Sequence, residues 1–199
     1  MLRKLERGIN RIIDAAGALA ALLLLLLVLV ISWNVIARYS FSASSIGLEE
    51  LSWHIYASIF LLGLSYALKT GSHVRVDLVF ENLSTRTRAT IDLFGTLLFL
   101  IPFCLIVIWS GWLFAIEAWG LGTRPDELGA LLKQLVSTGI GEKSQDPGGL
   151  LNRWIIKGLI PFSFVLLLLA SISFLLHKVN LLRGIEPDNE LDHAHRELS

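Results

Sequence analysis

Four stretches of the chain carry no Asp, Glu, Lys or Arg: residues 15–37, 51–68, 93–116 and 158–176. They are 23, 18, 24 and 19 residues long, and the segments around them hold all 34 formal charges. A hydrocarbon core about 30 Å thick is crossed by roughly 20 helical residues, so each stretch is predicted to be a membrane span. The second is the shortest and most polar, with Ser52, His54, Ser58 and Ser65. A single run of this kind would suit a buried helix of a soluble core; four in one chain exclude that class. The pattern predicts an all-α membrane protein of four transmembrane helices, with an N-terminal interfacial amphipathic helix and a helical outer loop.

The flanking segments refine this pattern. Residues 2–16 place Leu2, Leu5, Ile9, Ile12, Ile13 and Ala16 at helical spacing, with Arg3, Lys4, Arg7, Asn10, Arg11 and Asp14 on the other face. That is a basic amphipathic helix, suited to lying on an anionic inner leaflet before the first span. A cleaved secretion signal has an apolar region of about 7–15 residues followed by small residues. The run here is 23 residues long and leads into Trp33-Asn34-Val35-Ile36-Ala37-Arg38-Tyr39 instead. It is therefore expected to be a retained span.

Between spans one and two, Ser44 or Ser45 is placed to cap a helix that begins near Ile46, with Glu49 and Glu50 in its early turns. Arg38 leaves the first span at the same depth, and an ion pair with Glu49 or Glu50 would lower the cost of charge at the boundary. In the next connection polar residues at 73, 75 and 77 alternate with apolar ones at 74, 76 and 78, read as a short interfacial segment. Ser84 or Thr85 can cap the third helix. Pro102 is expected to kink that span, and Gly17 with Ala21, or Gly63 with Ala67, to provide close-packing faces.

The connection 117–157 is long enough for structure of its own. Thr123-Arg124-Pro125-Asp126-Glu127 reads as a helix start, and Leu128, Leu131, Leu132 and Leu135 repeat at helical spacing. Gly139 and Gly141 end that helix, and Asp146-Pro147-Gly148-Gly149 is a turn signal. Whether its leucines meet lipid or a protein is open at this point. Residues 1–185 are thus read as one membrane domain with an outer insertion at 117–157. Residues 186–199 form an acidic tail without apolar periodicity, expected to be disordered.

Composition agrees with the pattern. Of 199 residues 54% are hydrophobic and 17% charged, and the formal net charge is zero. Nucleic acid is therefore not an expected partner. Basic residues divide 11 to 6 between the two sides of the four spans, which places both termini in the cytoplasm.

Candidate chemistry is sparse. The chain has no phosphate-cradling glycine loop, nucleophile elbow or His-Glu-x-x-His pattern, and its single cysteine is Cys104. Haem between paired histidines is the obvious test for a four-span protein. His54 falls near one end of its span and His177 near the other end of the bundle, so they cannot share one iron. His73 lies outside the apolar runs, and His193 and His195 lie in the tail. No charge lies inside the four runs, which disfavours a pump or charged-substrate channel acting alone. No catalytic residue, metal or cofactor is expected, and a membrane scaffold or accessory subunit is the reading. The alternative is a membrane-anchor subunit of a respiratory-type oxidoreductase.

Asn34-Val35-Ile36-Ala37-Arg38-Tyr39-Ser40-Phe41, followed by Glu49-Glu50-Leu51-Ser52, resembles the small membrane subunit of tripartite ATP-independent periplasmic (TRAP) transporters, the DctQ-like family. Gly63-Leu64-Ser65-Tyr66-Ala67-Leu68 and Ser72-His73-Val74-Arg75-Val76-Asp77 extend the likeness, which is best over residues 33–114. The resemblance implies a large membrane subunit that carries the transport sites, and a periplasmic solute-binding protein that delivers an organic acid or similar solute. It implies sodium-driven uptake across a bacterial inner membrane, with the small subunit bracing the large one and helping the binding protein dock. Asn34, Arg38, Glu49 and Glu50 match the family's outer-side motif, and His73 and Asp77 its inner loop; structural or partner-contact roles are implied for them. The chain departs from shorter members in its long outer connection, which is itself placed to touch the binding protein, and in Ser84, where proline is frequent.

Overall fold

The computed structural model describes residues 2–71, 84–123 and 125–182. Among the described residues the regular structure comprises six helices and one π-helical turn: α1 (Leu2–Phe41), α2 (Ile46–Thr70), α3 (Thr85–Gly95), the π turn (Thr96–Leu100), α4 (Ile101–Gly120), α5 (Leu128–Ser137) and α6 (Trp154–Leu182). No strand occurs among the described residues. Among the described residues four helical stretches are long and apolar enough to cross a bilayer: Arg7–Phe41, Ile46–Thr70, Arg86–Gly120 and Trp154–Asn180.

The amphipathic N-terminal stretch is not a separate element. It forms the first turns of α1, a single helix of 40 residues. At 1.5 Å per residue such a helix is roughly 60 Å long, about twice a hydrocarbon core. The reason is packing: Ile9 and Ile13 are buried with Ala170 against Leu68 and Leu169, so these positions of the apolar stripe are covered by α2 and α6, while Ile12 is exposed. The charge-free runs therefore understate the helices, which continue past them into polar flanks.

Local signals fix the helix ends. Ser45 caps α2, its hydroxyl accepting the Leu48 N–H at 3.4 Å, and Gly71 closes the helix at φ 69°. Ser84 caps α3 by accepting the Thr87 N–H at 3.3 Å. Pro102 is accommodated by a π-helical turn. Pro102 has no N–H to give to the preceding turn, and the backbone before it widens so that Ile101 N–H reaches Thr96 O. In the insertion, α5 starts at Leu128 with extended Glu127 as its N-cap; Pro125 and Asp126 precede the helix rather than opening it.

The spans pack around α6, which also touches the first turns of α1. α1 packs on α2, α2 on α6 and α6 on α4. Within their apolar stretches 44% of residues are buried in the fourth span but only 11% in the third. α6 is thus central, and α1 and α4 lie at the flanks. Ala16 and Ala20 of α1, Leu62 of α2 and Leu166 of α6 form the main core cluster. Small residues set the approach, because a Cβ on Gly17 would stand 2.6 Å from Tyr66 Cδ2. Gly63 was the other expected contact, but it faces open space; the close approach to α6 comes from Gly111 of α4 opposite Pro161.

Toward the end that holds the N-terminus, Lys178 Nζ lies 3.1 Å from Asp92 Oδ2, the two side chains being 5% and 12% exposed. Both residues sit just beyond the charge-free runs, so the helices carry charge into the packed interior, and they carry it as a pair. Lys69 also pairs with Asp14, and Ser173 Oγ donates to Asn10 Oδ1 at 3.2 Å.

Candidate functional site: the turn end of the bundle

The outer-side motif residues gather where α1 turns into α2. Ser42, at φ 51°, and Ser45 bracket a four-residue reversal, so the last turns of α1 run beside the first turns of α2. Successive helical residues point about 100° apart, so the neighbours Glu49 and Glu50 must face different surroundings. One faces α1 and the other faces the insertion.

On the α1 side, Arg38 Nη2 lies 3.9 Å from Glu49 Oε2, with side chains 52% and 60% exposed. This is the pair the sequence suggested, and its length and exposure make it a weak one. It borders a groove of about 370 Å³ lined by Leu27, Ile31, Asn34, Tyr39, Trp53 and Tyr56, among others. Asn34 is 9% exposed, yet its Oδ1 has no hydrogen-bond partner. A buried amide oxygen left unpaired is unfavourable by about 1–3 kcal/mol. The groove therefore combines an apolar wall, a buried amide without a partner for its oxygen and an ion pair with spare capacity.

On the insertion side both Glu50 carboxylate oxygens are matched, although the buried His54 Nε2 and Trp154 Nε1 nearby have no hydrogen-bond partner. Ser144 Oγ donates to Glu50 Oε1 at 2.5 Å, and Leu150 N–H donates to Glu50 Oε2 at 2.6 Å. The contact needs glycine at two places. A Cβ on Gly47 would stand 2.9 Å from Gly148 O, and one on Gly149 would run into Ser144. The predicted turn forms here, with Gly149 N–H donating to Asp146 O at 3.0 Å.

The same segment is fastened to the other spans. Glu142 N–H donates to Ala118 O of α4 at 2.8 Å, Arg153 N–H donates to Glu142 O at 2.9 Å, and the Glu142 carboxylate pairs with Lys157 of α6. Asn152 is held at φ 60° and acts as a clip. Its Oδ1 accepts Ile140 N–H at 2.6 Å, and its Nδ2 donates to Leu135 O at 2.9 Å. Trp119 and Trp154 meet edge to face at 4.4 Å beneath it. The insertion is thus a cap stapled to α2, α4 and α6 rather than a free loop.

His54 belongs to this region as well. Its Nδ1 lies 2.7 Å from the Glu50 carbonyl, which can only accept, so that nitrogen carries the proton. His177 lines a cavity of about 200 Å³ at the opposite end with Asn10 and Lys69, so the two rings share no site. Among the described residues no group of three His, Cys, Asp or Glu side chains could hold a metal ion. His73, Asp77, His193 and His195 lie outside the described residues, as does the interfacial segment 72–83.

Four helices long and apolar enough to cross a bilayer define a multi-pass membrane protein. Residues 27–181 match the family model described as Tripartite ATP-independent periplasmic transporters, DctQ component. The chain belongs to that family and is the small, non-catalytic membrane component of a TRAP transporter. No curated protein matches it.

Proposed function

We propose that this chain braces the large membrane subunit of its transporter through the open face at the turn end, with Asn34, Arg38 and Glu49 as contact residues. Both termini face the cytoplasm of a bacterial cell, and the turn end with its cap faces the periplasm. There the polar top of the insertion helps a solute-binding protein dock, for sodium-driven uptake of an organic acid or similar solute. Glu50 holds the cap in place, and His73 and Asp77 order the connection on the cytoplasmic side.

The single observation that carries this reading is the Asn34 amide oxygen, buried without a partner in an apolar groove beside a weak ion pair. A partner helix seated in the groove, with a donor met by rotation of the buried Asn34 amide and a carboxylate for Arg38, would satisfy all three features. Affinity purification of the tagged chain in mild detergent tests it. A much larger polytopic protein should accompany the wild-type chain and be depleted with Arg38→Ala. Undiminished recovery with the variant would remove Arg38 from the interface, and a chain purified alone would contradict the subunit role.

A further inference from the structure

The insertion helix α5 has an apolar arc that the chain covers only in part. Leu131 and Leu135 are half-buried on the protein side, while Leu128, Leu132 and Val136 are 73%, 55% and 82% exposed. At about 100° per residue these five positions form one continuous arc, with Lys133 and Ser137 outside it. The covered half fixes the helix on the cap, and the exposed half faces something the chain does not supply.

We propose that this exposed edge is seated in the lipid of the adjacent leaflet, making α5 an interfacial anchor of the bundle. Three observations favour a lipid surface over a protein one. First, α5 is tethered at the level of the span ends. Gln134 Nε2 donates to Thr123 O at 2.9 Å, three residues beyond the end of α4, and Asn152 Nδ2 donates to Leu135 O at 2.9 Å, two residues before α6 begins. Neither tether lets the helix stand away from the membrane boundary.

Second, the span ends on both sides of the insertion carry exposed apolar side chains of their own. Ile116 of α4, Leu121 in the connection and Ile155 of α6 are all exposed, and the Trp119–Trp154 pair stands at the same level. Third, the edge is aliphatic and carries no aromatic or arginine anchor of the kind that dominates protein interfaces. Leucine and valine on one side with lysine on the other is the pattern of a helix lying in the interface plane.

The inference concerns contact with lipid and stands apart from the large-subunit interface, so either can fail without the other. It is tested on the full chain in nanodiscs of phosphatidylethanolamine and phosphatidylglycerol. The one native thiol, Cys104, is buried, so single cysteines can be labelled selectively. A nitroxide is placed by Leu132→Cys, by Val136→Cys and, as the polar-face control, by Lys133→Cys. At 132 and 136 the label should be relaxed by dissolved oxygen and shielded several-fold from a water-soluble nickel chelate, whereas at 133 the chelate should dominate. Equal chelate access at all three positions would overturn the anchor. Shielding from both reagents at 132 and 136 would also overturn it, because it would mean packing against protein.

Discussion

Glu49 and Glu50 are neighbours in one helix, yet their surroundings differ in every respect that matters for stability. Glu50 accepts two short hydrogen bonds from a segment roughly a hundred residues away and closes the cap onto α2. Glu49 reaches one arginine at 3.9 Å, and both side chains stay largely exposed. The first environment is complete within this chain. The second has unused capacity, and the buried Asn34 oxygen beside it has no partner at all. Glu50 is satisfied within the fold, and the side of α2 left open is where the proposed partner would sit.

The comparison can be broken in three ways. The largest effect is expected where a closed pair is deepest. Asp92→Ala leaves the Lys178 ammonium buried without its carboxylate and should lower stability in detergent by about 3–5 kcal/mol. A thermal unfolding midpoint close to wild type would show that the pair does not hold α3 on α6.

Next comes Glu50→Ala, which strands the Ser144 hydroxyl and the Leu150 N–H. Limited proteolysis should then cut within 142–150 much faster, and amide exchange at Gly149 and Leu150 should rise, while the spans stay protected. Glu50→Gln keeps the shape and should fall between the two. An unchanged cleavage pattern would mean that the cap is held without Glu50.

The smallest effect on the chain itself, and the opposite in sign, is expected for Asn34→Leu. Replacing an unsatisfied buried amide by an apolar side chain of similar size should leave the isolated chain as stable or up to about 1 kcal/mol more so. The same change should weaken assembly. A clear loss of stability in the isolated chain would show that Asn34 serves the fold rather than a partner.

How much of this was legible in the sequence depends on the range of each interaction. The four spans, the Ser45 and Ser84 caps and the turn at Asp146–Gly149 are written in runs of a few residues, and they form where those runs place them. The pairing of Arg38 across a short reversal was narrowed to two carboxylates, and the helical rotation between Glu49 and Glu50 decides which one it meets. No local signal could assign Glu50 to Ser144 and Leu150, because that contact exists only once α2, α4 and α6 are packed. The Asp92–Lys178 pair escaped for the same reason, and because each residue sits one or two positions outside a charge-free run. Gly63 misled because small-residue spacing marks a face that could pack, and only the neighbouring helices determine whether it does.

One paired measurement tests the central claim most directly: the thermal midpoint of the isolated chain, and recovery of the large membrane subunit with it, for Arg38→Ala beside wild type. An exposed pair at 3.9 Å contributes about 0–1 kcal/mol to folding, so the midpoint should barely move. Recovery of the large subunit should fall several-fold. A midpoint that drops while recovery of the large subunit is unchanged would contradict the account, because Arg38 would then act within the fold and not at the interface.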